Sequence, residues 1–394
     1  TRAALLQVNN SIRDANPDYE RFITVKVPDL KVIQDNLPSD AVVVEYLPLE
    51  TALTIFLVTI RGAQARTVAV SRKRLDELVQ AFRDEMLKAG SARGSALLSK
   101  PNAETSLLEW DWQSNRARRL RATLTTLYGY LIAPIQNDLR KVESMVIVPS
   151  GSLYYLPFQA LARESSDKSL KFLVEEKRLA MLPSLQLWNQ IARKESASGA
   201  SKPMRLAAFG NPDGSLPGAE DEVKQLGVLF PDSIIYIGAE ATRARVENLP
   251  QDVNVAHFAT HGRLSEQDIN ECHLVLANGE KLKLGEIYGL AGNYSAKMTV
   301  LSACETAMGR KDPGNEVANL AEGFVEAGST TILATLWQVC DASTSLLMAR
   351  FYREIKIGKS KAEAMRLAET SLLKSRGTAH PYFWAPFVLI GNWK

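Results

Sequence analysis

Two periodicities alternate along the chain. From Ala41 the segments AVVVEYL and TALTIFLVTI are runs of β-branched and aliphatic residues bounded by Pro48 and Gly62, a pattern that predicts strands. Residues 71–88 then set Leu75, Leu78, Val79, Phe82 and Met86 at helical spacing on one face, with Ser71 in position to cap the first turn. Residues 88–106, rich in Ser, Gly and Ala, read as a long loop. A helical pattern follows over 113–139, interrupted near Gly129 and Pro134, and SMVIVPSG reads as a buried strand ending in a turn. Beyond residue 203 the short apolar runs RLAAFG, SIIYIG, VNVAHFAT, MTVLSAC, TTILATLW and APFVLIG alternate with helical patterns, clearest at 316–326, 341–354 and 361–373. Near-continuous apolar strands alternating with helices predict an α/β fold: a doubly wound, mainly parallel sheet with flanking helices.

Breaks in this pattern divide the chain. Residues 1–36 read as a helical lead-in, apolar at helical spacing over 3–12 and broken at Asn16-Pro17-Asp18. Residues 37–193 form a first α/β half. The stretch KESASGASKP at 194–203 is the best linker candidate, and 204–394 form the second half. At 394 residues the chain is long enough for two or three domains. Its opening on Thr1 rather than Met leads us to expect a natural N-terminus further upstream. The longest apolar run, near 52–60, is about half the ~20 residues a bilayer span needs, so no membrane role is expected.

Composition narrows the chemistry. A net charge of +3 does not mark a polyanion-binding protein, and the one basic cluster, RARRLR at 116–121, reads as a solvated helix face; direct nucleic-acid binding is not expected. Three Cys without paired spacing indicate a reducing, cytoplasmic setting and no metal site. The chain has four His, and two chemically suggestive positions fall at strand ends. VNVAHFAT ends in His261-Gly262, and MTVLSA ends in Cys304-Glu305-Thr306. In an open α/β sheet, reactive groups gather at the carboxyl ends of strands. If these two strands are parallel neighbours, an imidazole and a thiol emerge at one edge, as a Cys/His dyad requires. Taken singly, Cys304 also reads as a small core hydrophobe and His261 as a hydrogen-bonded strand-end residue. His257, mid-strand, reads as a buried histidine supporting the site. Cys272-His273 is adjacent rather than spaced for a metal, Cys340 reads as core, and His380 as a turn or packing residue.

The motifs His257-Phe258-Ala259-Thr260-His261-Gly262 and Leu301-Ser302-Ala303-Cys304-Glu305-Thr306 together resemble the CHAT family of caspase-like cysteine proteases, relatives of caspases and separase. Further stretches resemble family signatures in family order. They are Val148-Pro149-Ser150-Gly151-Ser152-Leu153 with Leu156-Pro157-Phe158, Gly210-Asn211-Pro212, Leu216-Pro217-Gly218-Ala219-Glu220, Leu336-Trp337-Gln338-Val339-Cys340-Asp341 and His380-Pro381-Tyr382-Phe383-Trp384. The first departs from the family in carrying Ser150 where an acidic residue is usual. The resemblance covers about residues 37–394.

It implies a caspase-like fold in which a pseudo-caspase half, 37–193, precedes an active protease half, 204–394; residues 37–193 contain neither His nor Cys. It implies Cys304 as nucleophile, His261 as general base and acid, and the N–H groups of Gly262 and Cys304 as the oxyanion hole, with no third acidic member and no cofactor. Asp341, after Trp337, is similar in position to a separase segment near the substrate pocket, which marks both residues as pocket candidates, and a carboxylate there could pair with a basic P1 side chain. Asp is equally suited to cap the helix that follows. The segment continues as Ala342-Ser343-Thr344-Ser345 rather than with further acidic residues, which leaves a smaller or apolar P1 open.

The expected activity is endopeptidase cleavage of a protein substrate, switched on by a protein partner or an upstream helical-repeat region. Family members serve prokaryotic defence or regulatory proteolysis. The alternative is a catalytically silent scaffold of the same fold that binds protein partners. A nucleotide-binding sheet is disfavoured, because Gly210-Asn211-Pro212-Asp213-Gly214 stands where a G-x-G-x-x-G loop would.

Overall fold

The computed structural model describes residues 30–99, 110–115, 117–197, 203–263, 271–302, 320–337 and 341–394. Its centre is an 11-stranded sheet. In chain order the strands are β1 (Ala41–Pro48), β2 (Leu53–Thr59), β3 (Gly62–Val68), β4 (Ser144–Val148), β5 (Arg178–Met181), β6 (Leu206–Gly210), β7 (Ile234–Ile237), β8 (Val255–Ala259), β9 (Met298–Ser302), β10 (Thr331–Thr335) and β11 (Phe387–Gly391). Their spatial order is β3-β2-β1-β4-β5-β11-β10-β9-β8-β6-β7. The meander β1–β2–β3 is antiparallel, as is β11 against β10; the other pairings are parallel. The expected doubly wound, mainly parallel sheet is therefore the one that forms.

Central strands β4, β6, β8, β9, β10 and β11 are buried at every position, which is why they read as unbroken apolar runs. One face of the second half is covered by α5 (Pro217–Leu229), α7 (Asp341–Lys356) and α8 (Lys361–Leu373). The other carries α6 (Leu320–Ala327), with Phe258 of β8 packed on Phe324. The helix expected at 361–373 forms over those residues, capped by Ser360, whose Oγ accepts from the Glu363 N–H.

Local readings needed three corrections. The loop expected over 88–106 is helical to Ser99, because α2 (Arg72–Ser99) continues through a segment whose Ala and Leu residues favour helix alongside its Ser and Gly. Gly90 lies where a Cβ would sit 3.2 Å from the Tyr382 ring, so a small residue is needed there for packing rather than for a turn. Gly129 does not interrupt α3 (Arg118–Leu131); the break comes at the 3-10 turn Ala133–Ile135, where Pro134 stands. Strand β3 has no apolar alternation to announce it, being a largely exposed edge strand formed by a tight turn from β2, with Thr59 paired to Gly62. Residues 194–197 of the expected linker are the last turn of α4 (Leu185–Ala197); 198–202, and 1–29 of the lead-in, lie outside the described residues.

One buried apolar cluster runs through both halves, and a second lies within the first. Gln159 donates from its Nε2 to the carbonyls of Ala385, at 3.1 Å, and Phe387, at 2.7 Å, and Trp112, Phe172 and Trp384 form a chain of ring contacts across the junction.

Candidate functional site

Chain order and spatial order part company at β6. The chain leaves β6, forms the edge strand β7, then returns to lay β8 on the other side of β6. Connections from β6 and β8 thus diverge above their carboxyl ends, and this switch point opens a crevice of the kind that holds ligands in α/β sheets. The loop after β6 and the residues after β8 line it.

Asn211 shapes that loop. It is buried at φ +50°, a left-handed conformation that Asn tolerates better than most residues. Its backbone N–H donates to the Ala259 carbonyl at 3.1 Å, extending the β6–β8 pairing by one step. Its Oδ1 accepts from the Leu216 N–H at 2.7 Å, closing the loop at the start of α5. Gly210, just before it, has no room for a side chain: a Cβ would stand 2.5 Å from a Val223 methyl, so glycine is what lets α5 lie close against β6.

Within the closed loop, Asp213 Oδ1 accepts from both the N–H of Ser215, at 3.1 Å, and its hydroxyl, at 2.7 Å. The same hydroxyl oxygen lies 2.7 Å from Nε2 of His261, and Asp213 Oδ2 is 3.9 Å from that nitrogen. Partial burial opposes the charge on Asp213, but the two Ser215 hydrogen bonds and the neighbouring imidazole outweigh it and hold the carboxyl below its ordinary range. His261 follows β8 by two residues; its side chain is 35% exposed, open enough to meet a substrate. Its carbonyl accepts from the Val275 N–H, and Gly262 opens a three-stranded ribbon with 273–275 and 281–283, paired opposite Leu274.

Strand β9 runs parallel to β8 with Ala259 opposite Ser302, so the two strands end level at this crevice. Cys304 and Cys340 lie outside the described residues. Asp341 opens α7; its side chain is likewise outside them. Trp337 is buried, its ring edge-on to Phe82 and its indole N–H donating to the Tyr382 carbonyl at 3.2 Å.

His257 is fully buried beneath the crevice. Its Nε2 is 2.8 Å from Glu222 Oε1 on α5, and its Nδ1 is 3.1 Å from the Tyr352 hydroxyl on α7. Burial and the Glu222 charge hold the Tyr352 phenol protonated well past its ordinary range. Cys272 is buried, and His273 Nδ1 donates to the Glu271 carbonyl. His380 caps the turn Pro381–Trp384 by accepting from the Tyr382 N–H. Among the described residues, no group of three or more His, Cys, Asp or Glu could hold a metal ion, and no helix is long and apolar enough to cross a membrane.

Residue patterns alone had not picked out Asp213 and Ser215. The signal present was a turn-forming Asn-Pro-Asp-Gly-Ser run directly after a strand at the reversal of strand order; its contact with His261, 46 residues on, exists only in the folded chain.

Likeness to known proteins agrees with this architecture. Tetratricopeptide repeat protein 28 of Mus musculus is 26% identical over 68% of this chain, and its Homo sapiens counterpart 24% identical over 68%; the chain spans 13% of either. Among solved structures, two of the Saccharomyces cerevisiae separase–securin complex superpose with TM-scores of 0.62 and 0.55. They cover 92% of this chain at 11% and 13% identity, and 30% and 31% of the other chain. At that identity the likeness speaks for the fold alone. The CHAT domain profile matches residues 121–392, most of the sequence and every strand from β4 to β11, and on that match the chain belongs to the CHAT-domain family.

Proposed function

We propose that this chain is a cysteine endopeptidase acting through Cys304 and His261, switched on by a protein partner or by a helical-repeat region upstream. The observation that supports it best is the level, parallel ending of β8 and β9 at the switch-point crevice, with an accessible His261 two residues past β8 and Cys304 two residues past β9 in sequence. The thiolate sulfur of Cys304 attacks the scissile carbonyl carbon, and the S–C bond forms as the carbonyl oxygen takes up charge. Backbone N–H groups of Gly262 and Cys304 stabilise that oxygen, a single such donor contributing roughly 3–4 kcal/mol in the transition state. His261, having taken the thiol proton, gives it to the departing nitrogen as the C–N bond breaks. Water activated by His261 then attacks the thioester, the C–S bond breaks, and the carboxylic acid leaves. Asp341, at the start of α7, is the residue we assign to P1 selection; buried Trp337 supports that wall from behind.

A second reading has its own support. The curated relatives carry the name of a repeat protein, which favours a partner-binding scaffold built on the same fold. Labelling by a peptidyl acyloxymethyl ketone, read by mass spectrometry of the intact chain and its peptides, separates the two. The peptidase reading expects one adduct, on Cys304, lost in Cys304→Ala and reduced at least about 100-fold in rate in His261→Ala. Absence of any Cys304 adduct, alone and with partner-containing extract added, would leave the scaffold standing.

A further inference from the structure

The hydrogen bonds of Ser215 can be counted. A serine hydroxyl has one proton to donate, and a carboxylate can only accept. The 2.7 Å contact between Ser215 Oγ and Asp213 Oδ1 therefore uses the serine proton, since Asp213 is held ionised. Toward His261 the same oxygen can then only accept, and at 2.7 Å its partner Nε2 must carry the hydrogen. In a neutral imidazole one nitrogen bears the proton and the other a lone pair.

We infer that Asp213 and Ser215 are positioning residues that hold His261 in its Nε2–H tautomer and so make Nδ1 the nitrogen that exchanges protons at the reacting centre. The pair also fixes the ring plane, because the loop that carries it is itself closed through Asn211 on Leu216 and Ala259. When His261 takes a proton at Nδ1, the new charge lies next to an oxygen already polarised by a carboxylate whose second oxygen is 3.9 Å away. An acidic partner is therefore present, acting through a hydroxyl rather than by direct contact. Among the described residues, Lys224 pairs with Glu220 at 2.6 Å on α5, and Arg263 stands in register opposite His273 in the ribbon.

The proposal rests on reading His261 as the base, but the tautomer can be measured without any turnover. In long-range 1H–15N spectra of the full chain labelled at histidine, with His261 assigned by its loss in His261→Gln, we expect the neutral ring to show a protonated Nε2 and an unprotonated Nδ1. Ser215→Ala and Asp213→Asn should each shift the neutral ring toward the Nδ1–H tautomer in these spectra, and Ser215→Thr should restore the native ratio. A neutral ring protonated at Nδ1, or an unchanged tautomer ratio in both variants, overturns the inference. In Cys304 alkylation and peptide turnover, Ser215→Ala should lower kcat about tenfold with KM unchanged, and Asp213→Asn should lower it in the same way. Full turnover with neither change overturns the positioning role and leaves the peptidase standing. The expected spectra without Cys304 reactivity do the reverse.

Discussion

At the scale of single residues, burial decides between roles that chemistry leaves equal. An indole can present its ring to a ligand or pack in the interior, and Trp337 is packed: it is 5% exposed, its N–H bonded to Tyr382 and its ring against Phe82. Trp337→Ala should cost about 3–5 kcal/mol in a urea unfolding titration, by cavity formation and loss of a buried hydrogen bond. Trp337→Phe should recover much of it, with peptide KM following stability rather than indole chemistry. Asn211 works at the same scale: one buried side chain in a left-handed conformation holds the Asp213–Ser215 turn against His261. Both turn residues could be seen in the sequence as turn formers. Their function could not, because sequence spacing carries no information on which strand end a loop will face.

At the scale of elements, His257 joins three of them. It sits on β8, and its ring is held between Glu222 on α5 and Tyr352 on α7, all nearly inaccessible. A buried polar pair contributes little net stability against a well-packed apolar substitute, yet removing one side and leaving a buried carboxylate without its partner is severe. His257→Phe alone, which strands the Glu222 carboxylate, should therefore destabilise by about 3–5 kcal/mol, while His257→Phe with Glu222→Leu should recover most of that loss. A double-mutant cycle of urea midpoints measures the difference; equal losses in the single and double variants would show that the network is ordinary packing. The reading of His257 as buried was available from its place in an apolar strand. Its partners were not, since Glu222 and Tyr352 lie 35 residues before and 95 after it.

At the scale of the whole molecule, the two halves share a sheet, β5 pairing with β11 through Met181 and Ile390. Glu369 on α8 lies in this junction. Buried and hydrogen-bonded with Gln159 from the first half, its carboxyl is pushed well above its ordinary 4.5 by loss of solvent. A folded state that keeps its proton to higher pH than the unfolded chain binds more protons between the two values. Stability from this group is thus complete below about 4.5 and declines as pH rises through the raised folded value. Glu369→Gln, which has no proton to lose, should match the native chain at pH 4 and exceed it in melting temperature at pH 7 and above. A gain of the same size at both pH values would assign the effect to packing instead.

The sequence by itself determined the class of fold and most of the strands, because a strand buried on both faces must be apolar throughout and the intervening helices must be amphipathic. It also placed every His and Cys in the second half. Continuous helix at Gly90, the exposed edge strand β3 and the shared sheet of the two halves were settled only in three dimensions, where close approach to Tyr382, pairing with β2 and the β5–β11 contact override local preference. The Asp213–Ser215–His261 chain belongs with them: hydrogen bonds between distant residues arise from where the strands end, and that is fixed by the order in which the sheet is wound.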